Sequence, residues 1–428
     1  MHGNTNATKF ATKRVMKKLL FILTLIATTA TAQEISYGEY MQRVSDGNIA
    51  LAAKKLDIEI AEAGVRSSEV RNDPTLALTY SNNEDWSKGL GQGIEIELSR
   101  TFTFGVRRSR MDIAESTRKE TVAMFEEYMR NFRADATIAY LEQLRAEMML
   151  EETVKIYIEI SEVAANDSVR FMKGEIAEGD WLESRMAQGI ALNAVLDAEA
   201  EVDRCAIKLG YYMGNLDRAE KLRATGTLEI SEEVAPLDSY TAAALENRAD
   251  LVVALSRVAT AEAMQKFNSA TRRPELDVVV GATYNISDPD FMTIKAGVAV
   301  PLKFSNLNKG ARIMDEISVK QANMNVEEAR LLIQADVMQA YSDFIYAERQ
   351  SRTFSDKMLD DMNKVVEGKK KAYEVGETPF IEFLIAERSR NEMKKEYIDA
   401  LFSKAAAWVE LQRATGFSLE FGTKTITE

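Results

Sequence analysis

Two periodicities alternate along this chain. In four short stretches, near 75–81, 93–104, 275–286 and 292–304, apolar and polar residues alternate with a period of two. In the second, Ile94, Ile96, Leu98, Phe102 and Phe104 fall on one face, against Glu95, Glu97, Ser99, Thr101 and Thr103. The third sets Leu276, Val278, Val280, Ala282, Tyr284 and Ile286 against Glu275, Asp277, Thr283 and Asn285, with Val279 as the exception. In the fourth, Ile294, Ala296, Val298, Val300 and Leu302 oppose Thr293, Lys295, Gly297 and Lys303. The first is shorter, with Leu76, Leu78 and Tyr80. Such alternation predicts strands. Elsewhere the spacing is helical, over 36–72, 106–170, 181–213, 238–273, 310–373 and 380–415. In the longest stretch Ala134, Ile138, Leu141, Leu144 and Met148 trace one stripe. At 1.5 Å per residue that stretch spans ~100 Å. No globular core encloses such a rod, and helices of this length pack side by side as coiled coils.

The order of elements occurs twice. Phe171, Gly174, Glu175, Asp180 and Leu182 recur as Tyr373, Gly376, Glu377, Glu382 and Leu384, all at one offset of 202 residues. Gly214 and Gly416 keep the same offset, and Pro74 and Pro274 stand 200 apart. The chain is therefore a duplication: residues 33–235 form the first repeat and 236–428 the second. Each repeat runs helix, two strands, long helix, glycine turn, helix. The fold class expected is mainly α with a small β part.

Strands near ten residues suit a tilted membrane span, and no further apolar segment offers a second sheet to pack on them. Four strands cannot close a barrel, and lipid tolerates no open edge. Three copies would supply twelve strands, an even number within the known range of such barrels. This predicts an oligomer, with outer-membrane lipid around its strands.

Charge and leader point to the same compartment. Lys17 and Lys18 precede an apolar run from Leu19 to Ala27, and Ala30-Thr31-Ala32 offers a small-residue cleavage site before Gln33. Residues 1–32 are thus expected to be a signal peptide, with Met16 the better start. Without it 49 Lys and Arg face 67 Asp and Glu, a balance of −18 that disfavours nucleic acid and anionic lipid headgroups.

Catalytic chemistry has little to work with. The single histidine, His2, precedes the signal, so the mature chain has no imidazole for acid–base, triad or zinc chemistry. Cys205, the single cysteine, sits among Val202, Ala206 and Leu209, where a packed thiol is expected. The 19 methionines are scattered along helices, as core packing rather than a copper path would have them. Glu151 and Glu152 read as a solvated helix face, and Trp86 as a candidate for an interfacial aromatic belt. The chain is expected not to be an enzyme and to need no cofactor or metal.

The duplicated turn signature resembles the TolC family of outer-membrane efflux proteins. Asn247-Arg-Ala-Asp250-Leu251, opening a helix that runs to Arg273-Pro274 and a strand, is similar too, as is Val300-Pro301-Leu302. The resemblance extends from about residue 36 to Gly416. It implies a homotrimeric outer-membrane channel with a long periplasmic helical tunnel closed at its tip. The tip would dock a periplasmic adaptor and an inner-membrane transporter. A type I protein secretion conduit and a periplasmic coiled-coil adaptor or scaffold are the alternatives. The resemblance also assigns the tip. Gly174, Glu175 and Leu182, with Gly376, Glu377 and Leu384, form the turn motif. Asp180 and Tyr373 take the positions of the acid and tyrosine that hold the tunnel shut, and Glu382 one position of an acidic constriction. The tyrosine before the acid and the arginine after the second glycine are here Gly179 and Thr378, and the second acid of the constriction is Ile385. The closing network must therefore differ. Glu175, Glu178, Glu374 and Glu377 would add negative charge near the opening.

Overall fold

The computed structural model describes residues 33–82, 92–217, 219–230, 234–286, 292–302, 309–354 and 356–416. The signal segment, its cleavage site and Trp86 lie outside them. The chain divides into two compact units, and each draws on both repeats. One comprises residues up to Leu51, Met129–Ala244 and Ala335 onward; the other comprises Ala52–Tyr128 and Leu245–Gln334.

All four alternating segments lie in the second unit and form strands: β2 (Thr75–Asn82), β3 (Gln92–Phe102), β5 (Leu276–Asn285) and β6 (Met292–Ala299). They make one antiparallel sheet in the order β2-β3-β5-β6, so the β3–β5 ladder joins the two repeats. Register puts the apolar residues in rows: Leu78, Ile96, Ala282 and Ile294 form one, and Leu76, Leu98, Val280 and Ala296 the next. Among the described residues nothing covers this face: Leu78 is 72% and Ile294 72% exposed. On the opposite face Lys295 pairs with Glu97 at 2.9 Å and with Glu95, and Thr101 donates to Asp277 at 2.5 Å. Two strands end earlier than the alternation suggested. Phe104 lies beyond β3, and Val300 to Leu302 lie beyond β6, where Pro301 has no N–H to give a ladder.

The expected helices are present, with more breaks. The stretch 36–72 is α1 (Tyr37–Gly47) and α2 (Ile49–Ser68); its counterpart is α5 (Leu237–Asn247) and α6 (Ala249–Thr271). Asn48 causes the first break: its side chain accepts from the Leu51 amide at 3.0 Å and donates to the Tyr212 carbonyl at 2.9 Å. The long helix α3 runs unbroken over Val106–Lys173. Its counterpart does not: α7 (Lys309–Thr353) stops and α8 (Asp356–Glu374) follows. Before the break the Ser351 and Thr353 hydroxyls donate to the Glu348 and Gln350 carbonyls, a local bonding that competes with the helix ladder. The hairpins are completed by α4 (Glu178–Tyr212) and α9 (Phe380–Thr415).

A second, small sheet in the first unit pairs β1 (Gln33–Ser36) with β4 (Leu222–Thr225) in parallel. The Tyr140 hydroxyl sits between the Ile35 and Thr225 carbonyls, at 2.9 and 2.7 Å. The duplication extends to this core: Tyr40 and Val44 are buried on α1, and Tyr240 and Ala244 on α5. Tyr40 meets Tyr140 at 5.3 Å between ring centres, and Tyr240 meets Tyr341 at 6.1 Å. Gly214 is left-handed at φ +69°, and a Cβ there would stand 2.2 Å from the Gly47 carbonyl oxygen, so only glycine fits. Cys205 is buried against Ala146, Val202 and Leu150, and burial pushes its thiol up to about 11. The methionines depart from expectation. Met213 is buried, but Met172, Met186, Met314 and Met324 are each more than 60% exposed. They lie on helix faces that the single chain leaves uncovered rather than in its core.

Candidate channel tip

The two glycine turns have one backbone. Gly174 has φ +75° and Gly376 φ +79°. At the first, the Gly174 and Glu175 amides donate to the Phe171 and Arg170 carbonyls at 2.9 and 2.9 Å. At the second, those of Gly376 and Glu377 donate to Tyr373 and Ala372 at 3.0 and 2.9 Å. This is the glycine helix stop, in which a left-handed residue returns the chain's amides to its last carbonyls. Each helix after the turn carries acids in its first turn, Glu178 and Asp180 on α4 and Glu382 on α9, where the positive end of the helix dipole favours them.

Tyr373 is buried, against Phe380 at 5.4 Å, while the Arg170 guanidinium lies 5.4 Å from its ring centre. The acid nearest to it in effect is Asp167, which the turn motif does not contain. Asp167 is 1% exposed, with Arg170 at 3.8 Å. Burial raises the Asp167 carboxyl above its ordinary value of 3.8, against the opposing pull of Tyr373, Ser184 and Arg170. Burial and the Asp167 charge likewise raise the Tyr373 hydroxyl. Among the described residues, neither Asp167 oxygen nor that hydroxyl closes a well-formed hydrogen bond. Asp180 is half-buried nearby, and its charge adds to the rise of both groups. Glu382 is bound by Lys369 at 2.6 Å. Leu384 packs on the buried cluster that holds Phe380 and Phe383, whereas Leu182 is 43% exposed; Glu175 and Glu377 face solvent.

Asp167 and a second buried acid, Glu387, escaped the motif reading. Glu387 is 1% exposed and receives Arg390 at 2.6 Å, while Arg390 also reaches Glu159 at 2.7 Å. The signal was an acid on an apolar stripe. Asp167 follows Ile160, Val163 and Ala164 at seven, four and three residues, and Glu387 follows Phe380, Phe383 and Leu384 in the same pattern. Beside Glu387 a groove of about 300 Å³ opens among Ile156, Met186, Ile190, Ile381 and Leu384.

Residues 241–417, which contain the second turn and both strands of the second repeat, match the model of the Outer membrane efflux protein family. That match lies within the second repeat and spans less than half of the chain. No curated protein matches the chain. Solved structures share its fold at low identity. The outer-membrane channel OprN is 15% identical, with 89% of this chain and 90% of that one covered and a TM-score of 0.75. The outer membrane protein VceC of Vibrio cholerae is 14% identical over 90% and 96%, with a TM-score of 0.74. The open state of the Neisseria gonorrhoeae MtrE outer membrane channel is 15% identical over 88% and 88%, with a TM-score of 0.69. The fold is that of outer-membrane channels, with the helical hairpins and four-stranded sheet expected from the duplicated pattern.

Proposed function

We propose that the chain is one subunit of an outer-membrane channel, a passive duct through which an efflux pump discharges from the periplasm to the exterior. The observation that carries this reading is the β2-β3-β5-β6 sheet. One face is apolar and uncovered, the other holds paired charges, and β2 and β6 are both edges. In lipid, an unpaired edge costs several kcal/mol for each unsatisfied backbone group. Pairing β2 of one copy with β6 of the next removes the edges, and three copies close a barrel of about twelve strands.

The helical hairpins then line a periplasmic tunnel, with the two glycine turns at its tip. Threefold symmetry brings three copies of Asp180 and of Glu382 around one axis, and Tyr373 braces the turn behind them. The exposed apolar side chains near the tip, Met186, Ile190 and Ile381 among them, give an adaptor's helices a surface to dock on. Energy comes from an inner-membrane transporter beyond the adaptor, and the duct carries out no catalysis. Mass measurement in detergent is expected to give three subunits. Ile96→Arg puts a charge against lipid and should cost about 2–4 kcal/mol near the midplane, abolishing the trimer. Ser99→Arg, on the opposite face, should leave it intact. A stable monomer for the parent, or equal assembly of both variants, refutes the reading.

A further inference from the structure

Where the apolar sheet gives way to helices, the chain changes charge. The last rung of the β3–β5 ladder sets Phe102 opposite Leu276. Phe102 is 43% and Phe104 53% exposed, with the Arg100 guanidinium 5.5 Å from the centre of the Phe102 ring. Aromatic side chains in this position mark the boundary of an apolar band. Just beyond it, a pocket of about 520 Å³ opens among the start of α3, the end of α6 and the start of α7. Five basic and three acidic side chains line it, a surplus of two positive charges in a chain of net charge −13.

The lining separates into a fixed part and a reaching part. Asp315, 9% exposed, receives Asn268 at 2.7 Å and Arg272 at 3.3 Å. The Arg272 Nε donates to the Asn268 carbonyl at 2.9 Å. The other terminal nitrogen of Arg272, Nη1, is buried without a hydrogen-bond partner among the described residues. A buried donor left so carries a desolvation penalty. Around this fixed guanidinium stand Arg108, Lys266, Arg273 and Arg312, all exposed. Gly105 borders the Arg273 guanidinium closely, since a Cβ on it would stand 3.5 Å from Nη1.

Gly105 is three residues past the last rung, about 10 Å along the chain at 3.3 Å per residue, and less along a tilted axis. A bilayer adds roughly 5–8 Å of headgroup layer on each side of its hydrocarbon core. A pocket just outside the apolar band thus lies at headgroup depth. Planar guanidinium groups match the oxygens of a phosphate two at a time.

We propose that this pocket is a phosphate-binding site, supplied by the phosphodiester of a phospholipid headgroup or by free phosphate. Only the lipid source rests on the membrane reading above. The test titrates the full-length, detergent-purified protein with short-chain phosphatidylglycerol, with short-chain diacylglycerol, which has no phosphate, and with inorganic phosphate, and reads occupancy by native mass spectrometry. Phosphatidylglycerol is expected to bind and diacylglycerol not. Arg273→Gln with Arg312→Gln should weaken binding at least tenfold. Lys266→Gln, on an exposed helix position, should weaken it less and leave folding untouched. Lipid binding tenfold tighter than inorganic phosphate assigns the headgroup as source; equal affinities assign free phosphate, and either supports the site. Equal binding of diacylglycerol, or unchanged binding in both variants, overturns it. The two readings fail separately. A parent that inserts into phospholipid vesicles yet binds neither phosphate probe loses the site alone. One that stays soluble without detergent yet binds inorganic phosphate loses the membrane placement alone.

Discussion

At the first tip turn Phe171 lies flat against Trp181 of the helix that follows it, ring centres 4.6 Å apart, and Arg185 caps that stack at 4.9 Å. At the second turn Tyr373, the repeat's counterpart of Phe171, reaches instead to Arg170 and Asp167 of the other hairpin and is 4% exposed. The two hydrogen bonds of the glycine stop recur at both turns. Duplication has kept what the main chain needs, a left-handed glycine and a returning amide. It has let the side chains diverge into a local stack on one side and a buried polar contact between hairpins on the other.

Truncating the aromatic cores should break the symmetry most. Phe380→Ala removes a side chain 1% exposed against Tyr373 and Phe383 and should cost about 3–5 kcal/mol. Phe171→Ala loses a half-exposed stack and should cost about 0.5–1.5 kcal/mol beyond its area. Hydrogen exchange through both turns measures the difference, and equal losses of protection would show the turns to be equivalent.

A smaller effect should come from pH. Burial holds the Asp167 carboxyl above its ordinary value. Below that ordinary value the folded and opened tips are both protonated, and Asp167 contributes no difference. As pH climbs from there through the raised value, the opened tip ionises first, so the closed tip loses stability. Exchange protection around Tyr373, corrected for intrinsic rates, should fall over that window in the parent and stay flat in Asp167→Asn. The same slope in the variant would remove Asp167 from the contact.

The smallest expected difference is between the acids of the two turns, Asp180 and Glu382. Glu382 is held by Lys369, while no ion pair is found for Asp180 among the described residues. Single-channel recordings should show Asp180→Asn lowering the cation-to-anion permeability ratio more than Glu382→Gln does. The reverse order would mean that Lys369 turns away from Glu382 in the assembled channel.

Much of this was legible beforehand. Ile94 to Phe102 and Leu276 to Tyr284 announced their strands and faces because period two is a local property of the pleat. Gly174 and Gly376 announced the turns, because few other residues adopt a left-handed helix stop without strain. The α7–α8 break was not legible: the spacing reads as one helical stretch over 310–373. Hydroxyl residues at Ser351 and Thr353 can bond back within a helix or end it, and the choice depends on what packs there.

What the sequence by itself determined is whatever repeats within a few residues or at the 202-residue offset: element types, lipid-patterned faces, turn positions and the duplication. Only the tertiary structure decided which strands are neighbours, since β3 and β5 are about as apolar and alternating as β2 and β6 and could have paired otherwise. It alone set β1 beside β4, too short a pair to carry a pattern, and turned Tyr373 toward Asp167 rather than toward the acid of the turn motif. The physical reason is range. A side chain's periodicity reports on its own helix or strand, but the burial that shifts Asp167 comes from three helices meeting, and no window along the chain contains all three.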